Sequence, residues 1–327
     1  MALYITIDGG TTNTRISLVD GMKTIDRLGF NIGAKSNIDG NALYKKTIKE
    51  GILKILTNNS LKESDIARIL ASGMITSEFG LLRLDHITAP AGTEKLHNNM
   101  KEVTLKEISD IPFVFIRGVK TDSDSLEDSD VMCGEESELM GIADKSDGEC
   151  IYVLPGSHSK IIKTDSDGRI IKFSTMLTGE MLAALSQNTI LRDAVDLEKS
   201  ALDREYLLVG FDFCRGNGIN KALFKVRILK NIFGQSKDRT YSFFLGAVLC
   251  EEITDIIKIN SPKILIGGRR QLKEATYEIL KNRCSSEVVC IPSEKIDCAN
   301  SRGMVKIYEY NGQKQKSGES NPKWTSV

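Results

Sequence analysis

The sequence predicts an α/β protein built from two related halves, and three observations support this fold class. A strand near the start leads into a loop of small and hydroxyl-bearing residues at 8–15, and a second strand follows at once. The same order returns near the middle, where a strand leads into the loop at 155–160 and further strands follow. The chain has 327 residues, which are too many for one comfortable core and suit two domains. We therefore expect a duplicated domain that holds phosphate between its halves.

The elements of the first half follow from the spacing of apolar residues. Alternation predicts strands, and apolar residues three and four apart predict helices. Residues 122–130 are acidic and rich in serine and lack such spacing, so they predict an exposed loop. The predicted elements are strands at 3–7, 16–19, 23–30, 66–70 and 113–116 and helices at 41–57 and 131–142.

The second half begins where the composition turns polar, at residues 144–149. We place the domain boundary there, which predicts an N-terminal lobe at 1–147, a C-terminal lobe at 148–300, and a C-terminal helix with a polar tail at 301–327. The predicted elements are strands at 151–154, 161–162, 169–173, 264–266 and 288–289, a helix opening at 178, and helices at 241–257 and 271–282.

The composition narrows the class of function. Hydrophobic residues make up 41% of the chain and charged residues 27%, as in ordinary soluble proteins. Lys plus Arg equals Asp plus Glu, at 44 each, so no global basic field is available for nucleic acid or an anionic membrane. No apolar run approaches the roughly 20 residues of a membrane span, and no signal stretch precedes the first strand. Seven scattered cysteines fit reduced cytosolic thiols, so we expect a cytoplasmic protein with no nucleic-acid or membrane partner.

The two loops differ from the common phosphate-binding motifs. In a Rossmann fold or a Walker-type loop, the glycine-rich turn opens a helix that holds phosphate at its N-terminus. Here a strand follows each loop, and the chain lacks G-x-x-x-x-G-K-[ST]. Phosphate would instead meet turn amides and hydroxyl groups. The alternative is an ordinary hairpin with a polar tip.

Four blocks carry a resemblance to a known family. They are DGGTTNTR at 8–15, DVMCGEE at 130–136, LPGSHSK at 154–160 and MLTGE at 176–180. With these blocks the chain resembles the 2-dehydro-3-deoxygalactonokinase (2-keto-3-deoxygalactonate kinase) family of the actin and hexokinase superfamily, over residues 1 to about 305. The resemblance implies two ribonuclease-H-like (actin-like ATPase) lobes with a cleft that closes over ATP and a sugar acid.

The resemblance also implies an activity. It is the ATP-dependent phosphorylation of the terminal hydroxyl of 2-dehydro-3-deoxy-D-galactonate, with ATP and Mg²⁺ as cofactors. The chain departs from the family at Cys133, where arginine is usual, and at Glu78, near which many relatives carry a basic residue. Both changes bear on the sugar acid more than on the kinase chemistry.

The nucleotide site is predicted from both loops. Asp8 could orient Mg²⁺ through water, or it could simply close a turn. Arg15 offers a planar fork for an anion, and its alternative is a solvent-exposed strand residue. The predicted nucleotide contacts are Asp8, Gly10, Thr11, Thr12, Asn13, Arg15, Gly156, Ser157, His158, Ser159, Lys160, Gly267 and Gly268, and Asp8 is the predicted metal ligand.

Asp130 is the predicted general base. It ends the acidic loop and is expected to begin a helix, and the resemblance implies a catalytic Asp just before a helix in the first lobe. Its alternative role is a helix N-cap or part of a solvated surface. Glu135 and Glu136 are the fallback bases.

The substrate contacts are predicted from loop placement. They are Gly73, Met74, Ser77, Pro90, Ala91, Gly92, Arg117, Gly118, Gly179 and Glu180. Arg117 would hold the carboxylate of the sugar acid. The competing functions are a phosphohydrolase of the same superfamily, a kinase for another sugar or sugar acid, and a non-catalytic sugar sensor. The expected partners are the sugar acid and ATP, and the chain is compatible with a homodimer.

Overall fold

The computed structural model describes residues 2–34, 41–268 and 270–311. The contacts divide the chain into two compact units. The first unit comprises Met1–Leu84, Thr93–Arg117 and Ser301–Val327, and the second comprises Asp85–Gly92 and Gly118–Asn300. This division does not coincide with the predicted boundary at 147, because residues 118–147 cluster with the second unit. The predicted tail from residue 312 lies outside the described residues.

The first unit is built on a six-stranded sheet in the order β3-β2-β1-β4-β7-β6. Its strands are β1 Leu3–Gly9, β2 Thr14–Asp20, β3 Lys23–Phe30, β4 Ile66–Gly73, β6 Lys101–Val103 and β7 Phe113–Phe115. Its helices are α1 Ala42–Asn58, α2 Thr93–Asn98 and most of α11 Ala299–Tyr308. Ile5, Ile7 and Ile16 are fully buried with one face of α1, as the alternating and helical spacings require.

The second unit contains a five-stranded sheet, ordered β12-β11-β10-β13-β14, and a small sheet ordered β5-β8-β9. Its strands are β5 Ile87–Thr88, β8 Val119–Lys120, β9 Val131–Met132, β10 Cys150–Leu154, β11 Ser159–Thr164, β12 Ile170–Met176, β13 Lys263–Ile266 and β14 Glu287–Cys290. Its helices are α3 Glu135–Ile142, α4 Thr178–Asn188, α5 Arg204–Asn217, α6 Ile219–Asn231, α7 Lys237–Val248, α8 Cys250–Ile259, α9 Arg270–Arg283 and α10 Ser293–Asp297. None of the helices in the described ranges combines the length and apolar character that crossing a bilayer demands.

The two larger sheets repeat one topology. In the first, β1, β2 and β3 are antiparallel neighbours, and β4 and then β7 continue the sheet in parallel from β1. In the second, β10, β11 and β12 take the same arrangement, and β13 and then β14 continue in parallel from β10. The predicted α/β fold with two related halves is therefore confirmed.

Two predicted helices differ from the structure. Residues 131–142 form the short strand β9 and then α3, because Gly134 has φ 112° and ends the extended segment before the helix begins. Residues 241–257 form two helices, α7 and α8, separated at Leu249. The Leu249 N–H donates to the Leu245 carbonyl oxygen, and the Ile253 N–H donates to the Leu249 carbonyl oxygen. Helical hydrogen bonding thus continues through Leu249, and the spacing of apolar residues does not show where one helix ends and the next begins.

A glycine at the end of a parallel strand touches the hairpin loop in each unit. Gly73 ends β4 with φ 96°, and a Cβ atom there would lie 2.5 Å from the carbonyl oxygen of Gly9. Gly268 follows β13 with φ 77°, and its Cβ would lie 2.4 Å from the carbonyl oxygen of Pro155. Both positions therefore need glycine for the backbone angle and for the space.

We expect Gly73→Ala to destabilise the protein more than Gly168→Ala. Gly168 also has a positive φ, of 74°, but no atom lies within 4 Å of a Cβ built there. Gly168→Ala should cost about 1–2 kcal/mol through backbone strain alone. Gly73→Ala should cost about 1–3 kcal/mol more, because the methyl group meets backbone. Denaturant unfolding of both variants measures the difference, and equal losses would contradict the packing role of Gly73.

Candidate active site

The first loop is a tight turn that joins β1 to β2. The Gly10 N–H group donates to the Asn13 carbonyl oxygen at 2.8 Å, and the Asn13 side-chain amide donates to the Thr12 hydroxyl at 3.0 Å. Within the described residues, the backbone N–H groups of Thr11 and Thr12 donate to no protein acceptor. The turn thus offers amide and hydroxyl groups together, which is the chemistry that an anion needs.

Asp8 and Arg15 form an ion pair across the base of this loop. The Arg15 guanidinium donates to Asp8 Oδ2 at 2.9 Å, and the Asp8 side chain is 23% exposed. Burial raises the pKa of the Asp8 carboxyl group, and Arg15 lowers it only in part. Arg15 therefore pairs with Asp8 in this unit, and its predicted contact with an anion stays a prediction.

The second loop rests on the first turn of α4. The N–H groups of Gly179 and Glu180 donate to the carbonyl oxygens of Gly156 and Ser157 at 3.1 and 3.3 Å. These are two of the N–H groups that a helix start leaves without helical partners. A Cβ at Gly179 would lie 2.4 Å from the Gly156 oxygen, so this close approach requires glycine. The first turn of α4 therefore holds the second loop in place through these two hydrogen bonds.

The second loop also presents polar groups that the hydrogen bonds to α4 do not involve. His158 Nε2 lies 3.1 Å from Glu180 Oε1, and these side chains are 34% and 53% exposed. Within the part of the chain that the structure describes, the backbone N–H groups of Ser157 and His158 have no protein acceptor. The structure therefore brings Gly156, Ser157, His158, Gly179 and Glu180 together as one surface.

Lys160 lies away from the tip of this loop and is only 4% exposed. Its ammonium donates to the Thr175 hydroxyl at 2.6 Å and to the Val131 carbonyl oxygen at 3.3 Å, and it lies 3.8 Å from Glu135 Oε1. Lys160 thus contacts the segment that holds the candidate bases, and its predicted contact with phosphate stays a prediction.

Asp130 belongs to the same network. Its carboxylate accepts hydrogen bonds from the Thr175 N–H at 2.6 Å, the Thr175 hydroxyl at 2.8 Å and the Val131 N–H at 2.6 Å. Asp130 does not begin a helix, which was the predicted setting, because β9 follows it. Thr175 joins Asp130 to Lys160, and no local pattern in the sequence points to this threonine.

The two fallback bases differ in accessibility. Glu136 is fully buried, and its Oε2 accepts the Gly134 N–H at 2.7 Å. The Glu135 side chain is 24% exposed, and its Oε2 accepts the Cys133 N–H at 3.2 Å. Glu136 therefore anchors the start of α3, and Glu135 lies nearer to solvent.

Cys133 pairs with a histidine that the sequence did not single out. Cys133 Sγ lies 3.0 Å from His86 Nε2. Burial, with the charges of Glu136 and Glu135, raises the pKa of the Cys133 thiol to about 12. Burial and Lys120 lower the pKa of His86. Both side chains are therefore neutral at pH 7. Cys133 and His86 are 47 positions apart in the sequence and become neighbours only when the chain folds.

The predicted substrate residues of the first unit are engaged locally. Gly73 packs on Gly9, the Ser77 hydroxyl donates to the Met74 carbonyl oxygen at 2.7 Å, and Arg117 Nε donates to the Asn99 carbonyl oxygen at 2.9 Å.

The predicted substrate residues of the second unit lie next to short strands and the start of β12. Pro90 follows a cis peptide bond, and Ala91 pairs with Ile170 at the start of β12. Gly92 packs on Arg169, and Gly118 packs on the Met132 carbonyl oxygen, at 2.9 and 2.4 Å from the built Cβ positions. Gly267, which was predicted as a nucleotide contact, packs on Leu154 directly after β13. Packing thus accounts for these glycines.

Glu252 contacts Thr178 at the start of α4, the helix that holds the second loop, and neither residue was predicted as a site residue. The Thr178 hydroxyl donates to Glu252 Oε2 at 2.5 Å, and Glu252 is 2% exposed. The sequence could have indicated Glu252, because a charged residue stands four positions before Ile256 on the apolar face of α8.

A model of the family described as 2-keto-3-deoxy-galactonokinase matches residues 8–306. The chain is 23% identical over 260 residues to 2-dehydro-3-deoxygalactonokinase from Escherichia coli (strain K12), covering 78% of this chain and 80% of that protein. It is 27% identical over 199 residues to a probable 2-dehydro-3-deoxygalactonokinase, DgoK1, from Rhizobium meliloti (strain 1021), covering 59% of each.

A solved structure shares the fold. It is a Sinorhizobium meliloti protein proposed to be a 2-dehydro-3-deoxygalactonokinase, with a TM-score of 0.76 and 21% identity over 96% of this chain and all of that one. At this identity the likeness shows the fold alone.

We expect Asp8→Asn to keep or raise the melting temperature at pH 7. The pKa of Asp8 is raised in the folded chain, so the folded state binds a proton more readily than the unfolded state. The ionised carboxylate therefore destabilises the fold above its folded pKa, and this cost disappears as the pH falls. The advantage of the variant over the wild type should shrink between pH 8 and pH 4 in thermal melts.

Asp165→Asn is the matched control, because the pKa of Asp165 is shifted in the opposite direction to that of Asp8. Burial alone would raise the pKa of Asp165, but hydrogen bonds from Arg169 and Asp167 outweigh it, and the pKa is lowered. This variant should be less stable than the wild type at pH 7, and its deficit should shrink in acid. The same pH trend in both variants would contradict the assignment for Asp8.

Proposed function

Because the chain belongs to the 2-keto-3-deoxy-galactonokinase family, we propose that it transfers the γ-phosphoryl group of ATP to the terminal hydroxyl of 2-dehydro-3-deoxy-D-galactonate. The family model spans residues 8–306, which confirms the resemblance predicted from the four blocks. The chain is thus a carbohydrate kinase. The cytoplasmic location and the homodimer stay predictions.

The observation that carries the proposal is the pair of hairpin loops at equivalent places in the two units. Each follows the first strand of its sheet, and each leaves two backbone amides, at Thr11 and Thr12 and at Ser157 and His158, without acceptors among the described residues. Phosphoryl transfer depends mainly on positioning and charge compensation of phosphate oxygens. Amides and hydroxyls on short turns supply such donors.

Asp8 is the proposed metal ligand. A group of three or more acidic, histidine or cysteine side chains able to hold a metal does not occur in the described ranges. Mg²⁺ keeps several waters and is often held by one or two carboxylates with phosphate oxygens, so a single Asp beside a phosphate loop fits it. When bound, Mg²⁺ would neutralise charge on the phosphates.

Asp130 remains the proposed general base, with Glu135 as the alternative. Three hydrogen bonds orient the Asp130 carboxylate and leave one of about four acceptor positions for a hydroxyl proton. Glu135 accepts the Cys133 N–H and lies 3.8 Å from the Lys160 ammonium. Both carboxylates belong to one network, so their variants must be compared directly.

A coupled assay of ADP release tests the function. We expect turnover that requires both ATP and 2-dehydro-3-deoxy-D-galactonate, measured across a panel of 3-deoxy-2-keto sugar acids and their parent aldonates. Turnover with a different member of the panel would retain the kinase and revise the substrate. ADP and phosphate release independent of any sugar would instead identify a phosphohydrolase.

The general base is tested with Asp130→Asn and Glu135→Gln as a matched pair. We expect Asp130→Asn to lower kcat at least about 100-fold, the usual scale for loss of a general base, and Glu135→Gln to lower it less than about 10-fold. KM for ATP should change little in either variant, because neither side chain is assigned to the nucleotide. The reverse order of the two kcat values would move the role to Glu135.

A further inference from the structure

We propose that Thr175 and Lys160 are positioning residues that hold the carboxylate of Asp130 so that its Oδ2 atom takes the proton of the sugar hydroxyl. This inference rests on the proposed kinase function. In that reaction the hydroxyl oxygen forms a bond to the γ-phosphorus, and the bond from this phosphorus to the β–γ bridging oxygen breaks, with its electrons leaving on ADP. The hydroxyl proton passes to the carboxylate of the base.

The hydrogen bonds to Asp130 are shared unequally between its two carboxylate oxygens. Oδ1 accepts the Val131 N–H at 2.6 Å and the Thr175 hydroxyl at 2.8 Å. Among the residues that the structure describes, Oδ2 accepts only the Thr175 N–H, at 2.6 Å. A carboxylate has about four acceptor positions, two on each oxygen. Both positions of Oδ1 are therefore filled, and the remaining position lies on Oδ2.

The main chain of Asp130 is held on both sides by Thr121. The Asp130 N–H donates to the Thr121 hydroxyl at 2.7 Å, and the Asp130 carbonyl oxygen accepts the Thr121 N–H at 3.0 Å. With its backbone fixed in this way, the carboxylate can still turn about its side-chain bonds. The Thr175 hydroxyl is the side-chain group that holds it against this rotation.

Lys160 sets the direction of the Thr175 hydroxyl. The two residues stand opposite each other in the antiparallel pair of β11 and β12, so their side chains lie on one face. An ammonium group only donates hydrogen bonds, so Thr175 Oγ1 must accept from Lys160, at 2.6 Å. The single hydrogen of the hydroxyl is then left for Asp130 Oδ1. Without the cation, this hydroxyl could rotate toward another acceptor.

The second hydrogen bond of Lys160 acts on the same carboxylate oxygen. Its ammonium also donates to the Val131 carbonyl oxygen at 3.3 Å, and the Val131 N–H is the other donor to Asp130 Oδ1. Lys160 is only 4% exposed, and an apolar side chain would avoid the cost of burying a cation there. Both printed donors to Oδ1 thus belong to residues that Lys160 holds, which gives the buried charge a purpose beyond packing.

Thr175→Val and Thr175→Ser separate the hydroxyl from the shape of the side chain. Valine keeps the branched shape, and serine keeps the hydroxyl. We expect Thr175→Val to lower kcat about 10- to 100-fold, the scale for misplacing a reacting group, with KM for ATP and for the sugar acid within about 3-fold of the wild type. Thr175→Ser should keep kcat within about 3-fold of the wild type. A purely structural role in packing predicts the reverse order of the two variants.

Lys160→Met separates the positioning role from the contact with phosphate predicted for Lys160. We expect kcat to fall, by less than in Thr175→Val because the hydroxyl is kept, and the Kd of a fluorescent ATP analogue to stay within about 2-fold of the wild type. A rise of about 10-fold in this Kd would assign the lysine to phosphate and overturn its positioning role. Lys163→Met is the matched control on β11, since Lys163 is 41% exposed and pairs with Glu149. It should match the wild type in kcat and Kd.

The double variant Lys160→Met/Thr175→Val keeps the proposal testable if a single variant is poorly stable. It removes the donor and the acceptor together, so neither is left buried without the other. Its kcat should lie within about 2-fold of Thr175→Val alone, because Lys160 acts through that hydroxyl. Wild-type kcat in Thr175→Val would overturn the positioning role and leave the kinase proposal standing. No sugar-dependent turnover by the wild type would overturn both.

A structure with the sugar acid bound tests the assignment of the atom. The terminal hydroxyl of the sugar acid should lie within about 3.2 Å of Asp130 Oδ2, the reach of a general base. Contact of that hydroxyl with Oδ1 or with Glu135 instead would contradict the orientation that we assign to the carboxylate.

Discussion

Each unit depends on the contact between a glycine at the end of a parallel strand and the backbone of the neighbouring hairpin loop. Gly73 meets Gly9 in the first unit, and Gly268 meets Pro155 in the second, both at positive φ. The contact brings the end of the parallel strand against the hairpin, so the loop shape is set by the sheet. The same kind of contact therefore occurs at equivalent places in the two sheets.

Lys160, Thr175 and Asp130 form one hydrogen-bonded network in the second unit. Lys160 is almost fully buried, and a buried cation is tolerated only with hydrogen-bonding or charged partners. It finds them in Thr175, the Val131 carbonyl oxygen and Glu135, while Thr175 also holds Asp130. The scaffold thus fixes the orientation of both candidate bases through one lysine and one threonine, neither of which needs to touch substrate.

The sequence predicted the repeated sheets and both loops, because alternation along a strand and small residues in a turn are local signals. It could not predict Thr175 or His86, since their partners lie 45 and 47 positions away and contact them only after folding. The helix start near Asp130 was wrong for a local reason: Gly134 adopts a positive φ that its neighbours do not encode. Glu252 was visible as a charge on an apolar helix face, but its partner Thr178 lies 74 positions away and contacts it only after folding.

The pair of Cys133 and His86 brings no positive charge to the position where the resemblance implies an arginine. The family usually carries arginine where Cys133 stands, and arginine stays charged at every working pH. Here burial keeps the thiol protonated and lowers the pKa of the imidazole, so neither side chain brings a positive charge at pH 7. A carboxylate near this position would gain at most a neutral hydrogen bond, which is about half as strong as a charge-assisted one.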